Sequence, residues 1–447
     1  MTDLPRAETE PGELPKDVEP PKRLRGGLFR HHDFRQLFIG DTISQVGTEV
    51  SGLAIPVMAV VLLGANEFQM GLLATFEFLA FLVIGLPAGA WVDRWRKKRV
   101  LMTNDLVRAV ALGSLPLAWA LDVLTLYQMF VVSLVVGCST VFFDVAYQSY
   151  LPELVPSDRI GEGNAKLQAS QSVAQVAGPS VGGFLIRAIG APYTVLLNAL
   201  SFVWSAFFIR RIEHLDTPPE RHTRRPLVTE IREGLGFVLR NPYLVRITAC
   251  TSISNLFSSM SGALLVLYAI RELGLDEGDL GLAFGLGAVG GLLGALSVTR
   301  VTRWVGEGRT IPLSALLWVP FGVLMPLAGT VIPPMVALVV STFATAFSVV
   351  LYNVTQVSFR QRLCPKPLLG RMNASIRFIV WGTMPIGGFL GGVLGTAFGA
   401  RTVFWVAAAG AAVAALPVVL SPLLGMRDLP RELDQHAEPE VDLEKRA

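Results

Sequence analysis

Twelve stretches of about 20 mostly apolar residues run through this chain, and each is long enough to cross the hydrocarbon of a bilayer. They cover roughly 37–63, 68–92, 100–120, 124–150, 165–189, 193–209, 244–268, 279–299, 310–328, 335–356, 374–398 and 402–420. Lipid offers no hydrogen-bond partners, so a spanning segment must satisfy its backbone internally and is predicted to be a helix. Composition agrees, with 52% of the 447 residues hydrophobic and 16% charged, against about 25% charged in an average soluble protein. The expected fold class is an all-α membrane protein with twelve transmembrane helices.

The stretches are not independent. Residues 143–165 and 352–374 share Val145/Val354, Ser149/Ser358, Leu154/Leu363, Pro156/Pro365, Gly161/Gly370, Asn164/Asn373 and Ala165/Ala374 at a constant offset. Each copy closes one apolar stretch, forms a short polar loop and opens the next. Duplication on this scale predicts two pseudo-symmetric six-helix bundles, 34–209 and 244–424, an arrangement suited to a transporter. Around them the expected organisation has a disordered cytoplasmic tail over 1–33, a linker over 210–243 and a cytoplasmic tail over 425–447. The first 33 residues lack an apolar core, which argues against a cleaved signal peptide. The linker begins with Pro218, Pro219 and Pro226 and continues with Ile231, Leu235, Val238 and Leu239 at helical spacing. That pattern reads as an amphipathic helix, lying on the membrane surface or packed on other protein.

Basic residues orient the spans. With both tails in the cytoplasm, Arg94, Arg96, Lys97, Lys98, Arg99, Arg210, Arg211, Arg300, Arg303, Arg360, Arg362 and Arg371 fall inside, whereas the outer loops keep Arg187, Arg271 and Arg401. This matches the positive-inside rule and places the protein in a plasma or inner membrane.

Two motifs add identity to this frame. After the second stretch comes Gly89, Ala90, Trp91, Val92, Asp93, Arg94, Trp95, Arg96, Lys97, Lys98, Arg99, a small residue followed by an acid and a basic cluster. The fifth stretch contains Gly178, Pro179, Ser180, Val181, Gly182, Gly183, echoed in the eleventh by Pro385, Ile386, Gly387, Gly388, Gly391 and Gly392. Small residues permit close helix approach, and a proline removes a backbone bond and bends a helix. The first motif resembles the loop between helices two and three of the major facilitator superfamily, and the second resembles the motif of that superfamily's exporters. The resemblance covers about 34–424 and points to the branch exporting macrolides, other drugs and siderophores. It implies a charge network of Asp93, Lys97 and Asp144 that latches the two halves in the outward-facing state. Arg96 stands where the family usually has a second glycine.

Carboxylates within the spans are the costliest residues, at about 2.5–3.5 kcal/mol each on insertion scales. The first half carries Asp41, Glu49, Glu77, Asp105 and Asp144, with Arg108 one turn beyond Asp105, whereas the second half's spans carry no acid past Asp279, the first residue of one of them. Glu49 and Glu77 are expected to face each other near the midplane as proton-coupling groups, with Asp41 a further candidate. Asp41, Asp105, Arg108 and Asp144 fall nearer the cytoplasmic side, where a structural ion-pair cluster is the expectation. Helix four has no Arg, although many proton-driven exporters of the superfamily place one there, so proton antiport is what the resemblance implies.

Cheaper polar residues are expected to line a substrate cavity: Gln45, Gln168, Gln171, Gln175, Asn255, Tyr352, Asn353, Gln356 and Trp381. Scattered amides among aromatic side chains suit bulky amphiphilic ligands better than sugars or small ions. Gly285 to Gly290 matches the dinucleotide G-x-G-x-x-G spacing but lies within a span, where it reads as helix packing. Cys138, Cys250 and Cys364 show no paired spacing, and the histidines lie in tails or linker, so neither disulfide nor metal is expected. The expected function is secondary active export of amphiphilic small molecules by alternating access, with protons as the counter-ion and lipid as the surroundings. No cofactor, enzymatic activity or nucleic-acid partner is expected, and the chain is expected to be monomeric. A dedicated exporter of one metabolite or siderophore, and a non-transporting receptor on a transporter fold, are the alternatives.

Overall fold

The computed structural model describes residues 27–92, 94–156, 159–214, 227–365 and 368–427. Among these, helices account for nearly every element, and the exception is an isolated bridge between Ala328 and Ile332. The first half comprises α1 (His32–Leu62), α2 (Glu67–Val83, resumed after Ile84 as Gly85–Val92), α3 (Lys97–Ala120), α4 (Leu126–Leu154), α5 (Ile160–Ile189) and α6 (Ala191–Arg210). The linker helix is α7 (Leu227–Arg240). The second half comprises α8 (Pro242–Glu272), α9 (Glu277–Val305), α10 (Glu307–Leu327), α11 (Pro334–Leu363), α12 (Leu369–Phe398) and α13 (Ala400–Val419).

Among the described residues, ten of these helices are long and apolar enough to span a membrane. The two membrane helices outside that set are α2, interrupted at Ile84, and α5, whose first turns carry Glu162, Lys166, Gln168 and Gln171. The expected twelve spans in two bundles are therefore present. α10 differs from a regular rod, being divided into Glu307–Leu316, Trp318–Gly322 and Leu324–Leu327.

The duplication extends into local geometry. α1 and α8 each end in a five-residue π turn, Met58–Leu62 and Tyr268–Glu272. Each π turn leads to a glycine in the left-handed region, Gly64 (φ 63°) and Gly274 (φ 67°), a conformation that costs an L side chain about 1–2 kcal/mol. Each is followed by a reciprocal capping box, Asn66 with Gln69 on α2 and Asp276 with Asp279 on α9. The caps satisfy amides that a helix start leaves without partners.

The apolar core divides along the membrane axis. Toward the face opposite the chain ends it is continuous across both halves, joining Leu53, Leu73 and Val132 to Met260, Leu264 and Leu280. Toward the face carrying the chain ends, the terminal face, each half has a core of its own. Leu101, Phe143 and Tyr150 belong to one, and Ile247, Tyr352 and Phe359 to the other.

The linker helix makes contacts with the second half. α7 packs on α12, with Val238 buried, Gly234 against the Arg371 carbonyl and Ser375, and Glu233 ion-paired to Arg371. Of its apolar stripe, Val238 is buried, Leu235 is half-buried and Leu239 is exposed.

Candidate functional site

The halves meet along two seams, α2 on α12 and α5 on α9. At the face opposite the chain ends each seam narrows to a glycine pair. A Cβ added to Gly71 would lie 2.5 Å from the Cα of Gly392, and one added to Gly281 would lie 2.5 Å from the Cα of Gly183. The duplication relates Gly71 to Gly281 and Gly392 to Gly183, so this is one contact made twice. Neighbouring glycines of the same motif serve their own bundle, with Gly182 on Val50 of α1 and Gly391 on Met260 of α8. Gly178 packs on the side chain of Glu49, and α5 runs unbroken through Pro179. The motif thus provides one glycine face for its own half and another for the facing half. Arg271 of α8 adds a contact across the junction, donating to the Val60 carbonyl at 3.5 Å.

Toward the terminal face the two edges of the junction differ. On the α4–α12 edge Asp144 Oδ2 accepts from Arg377 at 2.5 Å, and among the described residues this is the ion pair that joins the halves. The guanidinium carbon of Arg377 lies 4.5 Å from the Trp381 ring centroid and 5.7 Å from that of Phe81, and those rings meet edge-on at 4.6 Å. On the mirrored α11–α5 edge the equivalent residues are Asn353 and Gln168. Asn353 accepts from Gln356 at 3.4 Å and Gln168 donates to Gln171 at 3.3 Å, each within its own helix. Asn353, Gln168 and Gln175 are exposed, and Gln171 is half-buried.

Among the described residues, Lys97 and Asp144 of the expected network do not pair with each other in this arrangement. Asp93 lies outside the described residues. Lys97 pairs with Glu153 and donates to the Ser149 carbonyl at 3.2 Å, so its partners lie about one and a half to two and a half turns beyond Asp144 on α4. Asp144 is committed instead to Arg377, which the sequence reading missed. A basic residue inside the eleventh apolar stretch, which itself holds no acid, was the available signal. Gly89 has open space beside it and Arg94 is exposed.

The remaining carboxylates separate by environment. Asp105 and Arg108 form a buried ion pair within α3, and the Arg108 guanidinium lies 4.3 Å from the Phe143 ring centroid and 4.2 Å from that of Phe202. Of the four residues expected to cluster near that face, Asp41, Asp105, Arg108 and Asp144, only these two pair with each other among the described residues. Asp41 is buried, its carboxylate accepting from Tyr147 of α4 at 3.0 Å and from Gln45 at 3.5 Å. Glu49 and Glu77 are not paired with each other, contrary to expectation. Among the described residues neither makes a hydrogen bond or ion pair. Glu49 rests on Gly178 of α5, whereas the Glu77 carbonyl rests on Gly137 of α4. Glu77 is solvent-accessible although protein surrounds it closely.

Of the expected cavity residues, Tyr352 and Gln356 are buried, at 1% and 3% exposure, which removes them from an accessible lining. Tyr352 stands in the second-half core, its hydroxyl 2.9 Å from that of Thr251 and its ring 5.0 Å from Trp318. Asn255 is half-buried and donates to the Val380 carbonyl at 3.2 Å, holding α8 to α12. In the G-x-G-x-x-G stretch Gly287 against Thr342 and Gly290 against Phe343 pack α9 on α11, while Gly285 faces Ser180 of α5. No cluster that could hold a metal occurs among the described residues.

Comparison with known proteins agrees with this architecture. A multidrug efflux pump, Tap of Mycobacterium tuberculosis, is 28% identical over 423 residues, covering 90% of this chain and 94% of that protein. The uncharacterized MFS-type transporter YfiS of Bacillus subtilis is 29% identical over 249 residues, and that match spans 54% of this chain and 58% of YfiS. Among solved structures, a bacterial homologue of the iron transporter ferroportin in an inward-facing state superposes with a TM-score of 0.69 at 17% identity, covering 88% of this chain and 99% of that one, a likeness of fold. The sequence matches the Major Facilitator Superfamily over residues 37–382 and again over 258–445, and with its two six-helix bundles the chain belongs to that family of multi-pass membrane transporters.

Proposed function

We propose that this protein exports amphiphilic small molecules from the cytoplasm across the plasma membrane by alternating access, as a monomer driven by inward movement of protons. The supporting observation is the unequal closure of the junction between the halves. The symmetric glycine seams bring the halves together at one face, while at the other the Asn353 and Gln168 edge carries exposed amides and no cross-half bond. In this reading the terminal face is cytoplasmic, as its basic residues favour, and the chain stands open to the inside. Amides spaced among apolar side chains suit amphiphiles, and likeness to a multidrug efflux pump over most of both chains supports outward export.

Glu49 and Glu77 are the proposed proton carriers. Neither is held in an ion pair among the described residues, and Glu77 is accessible, so a proton can exchange without breaking a structural lock. Asp41, engaged by Tyr147 and Gln45, is the third candidate. One proton moving inward yields about 2.3 kcal/mol per 100 mV, and a tenfold substrate gradient takes about 1.4 kcal/mol. For a neutral substrate one proton per cycle therefore sustains a useful gradient, whereas exchange for a monovalent cation is electroneutral and draws on the pH difference alone.

The test is purified protein in liposomes with an acidic interior and an internal pH-sensitive dye, challenged with macrolides, lipophilic cations and siderophores. Substrate-triggered proton release that is lost in Glu49→Gln or Glu77→Gln is the expected result. Release that survives both substitutions and disappears in Asp41→Asn would move the carrier to α1's buried acid. Substrate flux without proton movement would refute proton coupling, and no flux from folded protein across the whole panel would refute amphiphile export.

A further inference from the structure

Arg377 occupies a position that a ligand would occupy elsewhere. Its guanidinium is bracketed by one carboxylate, Asp144 at 2.5 Å, and by the rings of Trp381 and Phe81, which also touch each other. A carboxylate beside paired aromatic rings is the chemistry that recognises an organic cation, through Coulomb attraction and the electron-rich ring faces. The pair is not sealed in: the side chains of Arg377 and Asp144 are 29% and 32% exposed. From the junction of the halves, then, a molecule can reach it.

The surrounding charge favours a cation as well. Asp41 lies close enough to sense Asp105 and Asp144 electrostatically, while Arg108 is held by Asp105 and Lys97 by Glu153. Asp41, bonded to Tyr147 and Gln45, therefore adds a carboxylate that no ion pair neutralises among the described residues. Moving Arg377 away leaves an acidic pocket beside two aromatic rings. The mirrored edge offers no equivalent, because Asn353 and Gln168 are neutral.

We infer that Asp144, Trp381 and Phe81 form a binding site for monovalent lipophilic organic cations, and that Arg377 fills this site as a built-in substitute until such a cation displaces it. Displacement does two things at once. It seats the cation against the first half's carboxylate, and it breaks the ion pair that fastens the α4–α12 edge, so occupancy is converted into freedom for the halves to move. This inference rests on the export reading and names its substrate class.

The experiment compares two probes of nearly equal shape and opposite charge, tetraphenylphosphonium and tetraphenylborate, bound to purified full-length protein. Wild type should prefer the phosphonium. Arg377→Ala removes the internal competitor and should tighten phosphonium binding by about tenfold, because a site blocked most of the time weakens apparent affinity by the blocked fraction. Arg377→Lys, which keeps the charge, should stay near wild type. Asp144→Asn should weaken the phosphonium at least about tenfold, the scale of a lost charge-assisted contact. Equal binding of the borate, or weaker phosphonium binding in Arg377→Ala, overturns the proposal. If Asp144→Asn does not fold, the Arg377→Ala result decides alone. Flux of a neutral macrolide through wild-type liposomes separates the two readings. Flux without phosphonium preference defeats the cation site, whereas the affinity shifts without any flux defeat the export reading.

Discussion

Asp144 and Arg377 are 2.5 Å apart across the junction of the two halves, while Asn353 and Gln168, their counterparts by duplication, each bond within their own helix. One edge of the terminal face is thus fastened by charge and the other carries neutral amides. An ion pair that is about one-third exposed is worth little in isolation, roughly 0.5–1 kcal/mol once solvent screening is allowed for. On the alternating-access proposal, a pair of this size can be broken in each cycle. A double-mutant cycle with Asp144→Asn and Arg377→Gln, read by thermal unfolding in detergent, should return a coupling of about that size. The charge exchange Asp144→Arg with Arg377→Asp should recover most of it, and a coupling indistinguishable from zero would show that the pair does not fasten the halves.

The glycine seams yield a second prediction. At Gly183 any side chain meets the backbone of Gly281, which has no flexible end to yield. Gly183→Leu should therefore disfavour closure at the face opposite the chain ends, lower transport by at least tenfold and increase thiol labelling of cysteines placed on that face. Gly392→Leu, its partner by duplication, should behave alike. Gly52→Ala is the control, since nothing lies within 4 Å of its added Cβ, and removing a mid-helix glycine should be neutral or gain about 0.5–1 kcal/mol. Unchanged transport in both leucine variants would show that the seams need not close this tightly.

Much of this was legible in the chain, and the failures have identifiable causes. Apolar length gave the spans because lipid forbids unsatisfied backbone, and the repeat around Ser149 and Ser358 gave the two halves. Pairing of side chains was harder. Lys97 and Asp144 fit a familiar pattern, but Glu153, two and a half turns beyond Asp144 on α4, takes Lys97, and Arg377 takes Asp144. Residue depth suggested that Glu49 and Glu77 meet, yet depth does not fix azimuth around a helix, and Gly178 and Gly137 orient their backbones elsewhere. Tyr352 looked like a cavity residue because its hydroxyl is polar, but Thr251 satisfies that hydroxyl inside the core.

The π turns give a prediction about stability. Gly64 and Gly274 hold left-handed backbone after equivalent turns, with nothing near their Cα to resist a methyl group, so the cost of Ala there is conformational. Each substitution should lower stability by about 1–2 kcal/mol, and the two should be additive because they lie in separate halves. Thermal unfolding of the single and double variants measures this. A loss confined to one position would mean that the duplicated turns carry unequal strain.

The Asp105–Arg108 pair tests whether a buried charge here is mechanism or architecture. Both side chains are nearly inaccessible, and Arg108 sits between Phe143 of α4 and Phe202 of α6, so one guanidinium ties α3 to two neighbours. Removing it strands a buried carboxylate. Arg108→Ala should cost about 3–5 kcal/mol, the usual penalty for breaking a buried pair from one side. Replacing both partners with apolar residues of similar volume, Asp105→Leu with Arg108→Met, should recover most of that loss, because such exchanges are often neutral or stabilising. If the double variant folds and still couples substrate to protons, the pair only holds the first half together. If it folds but uncouples transport, the proton path runs through α3, and Glu49 and Glu77 lose their place as carriers.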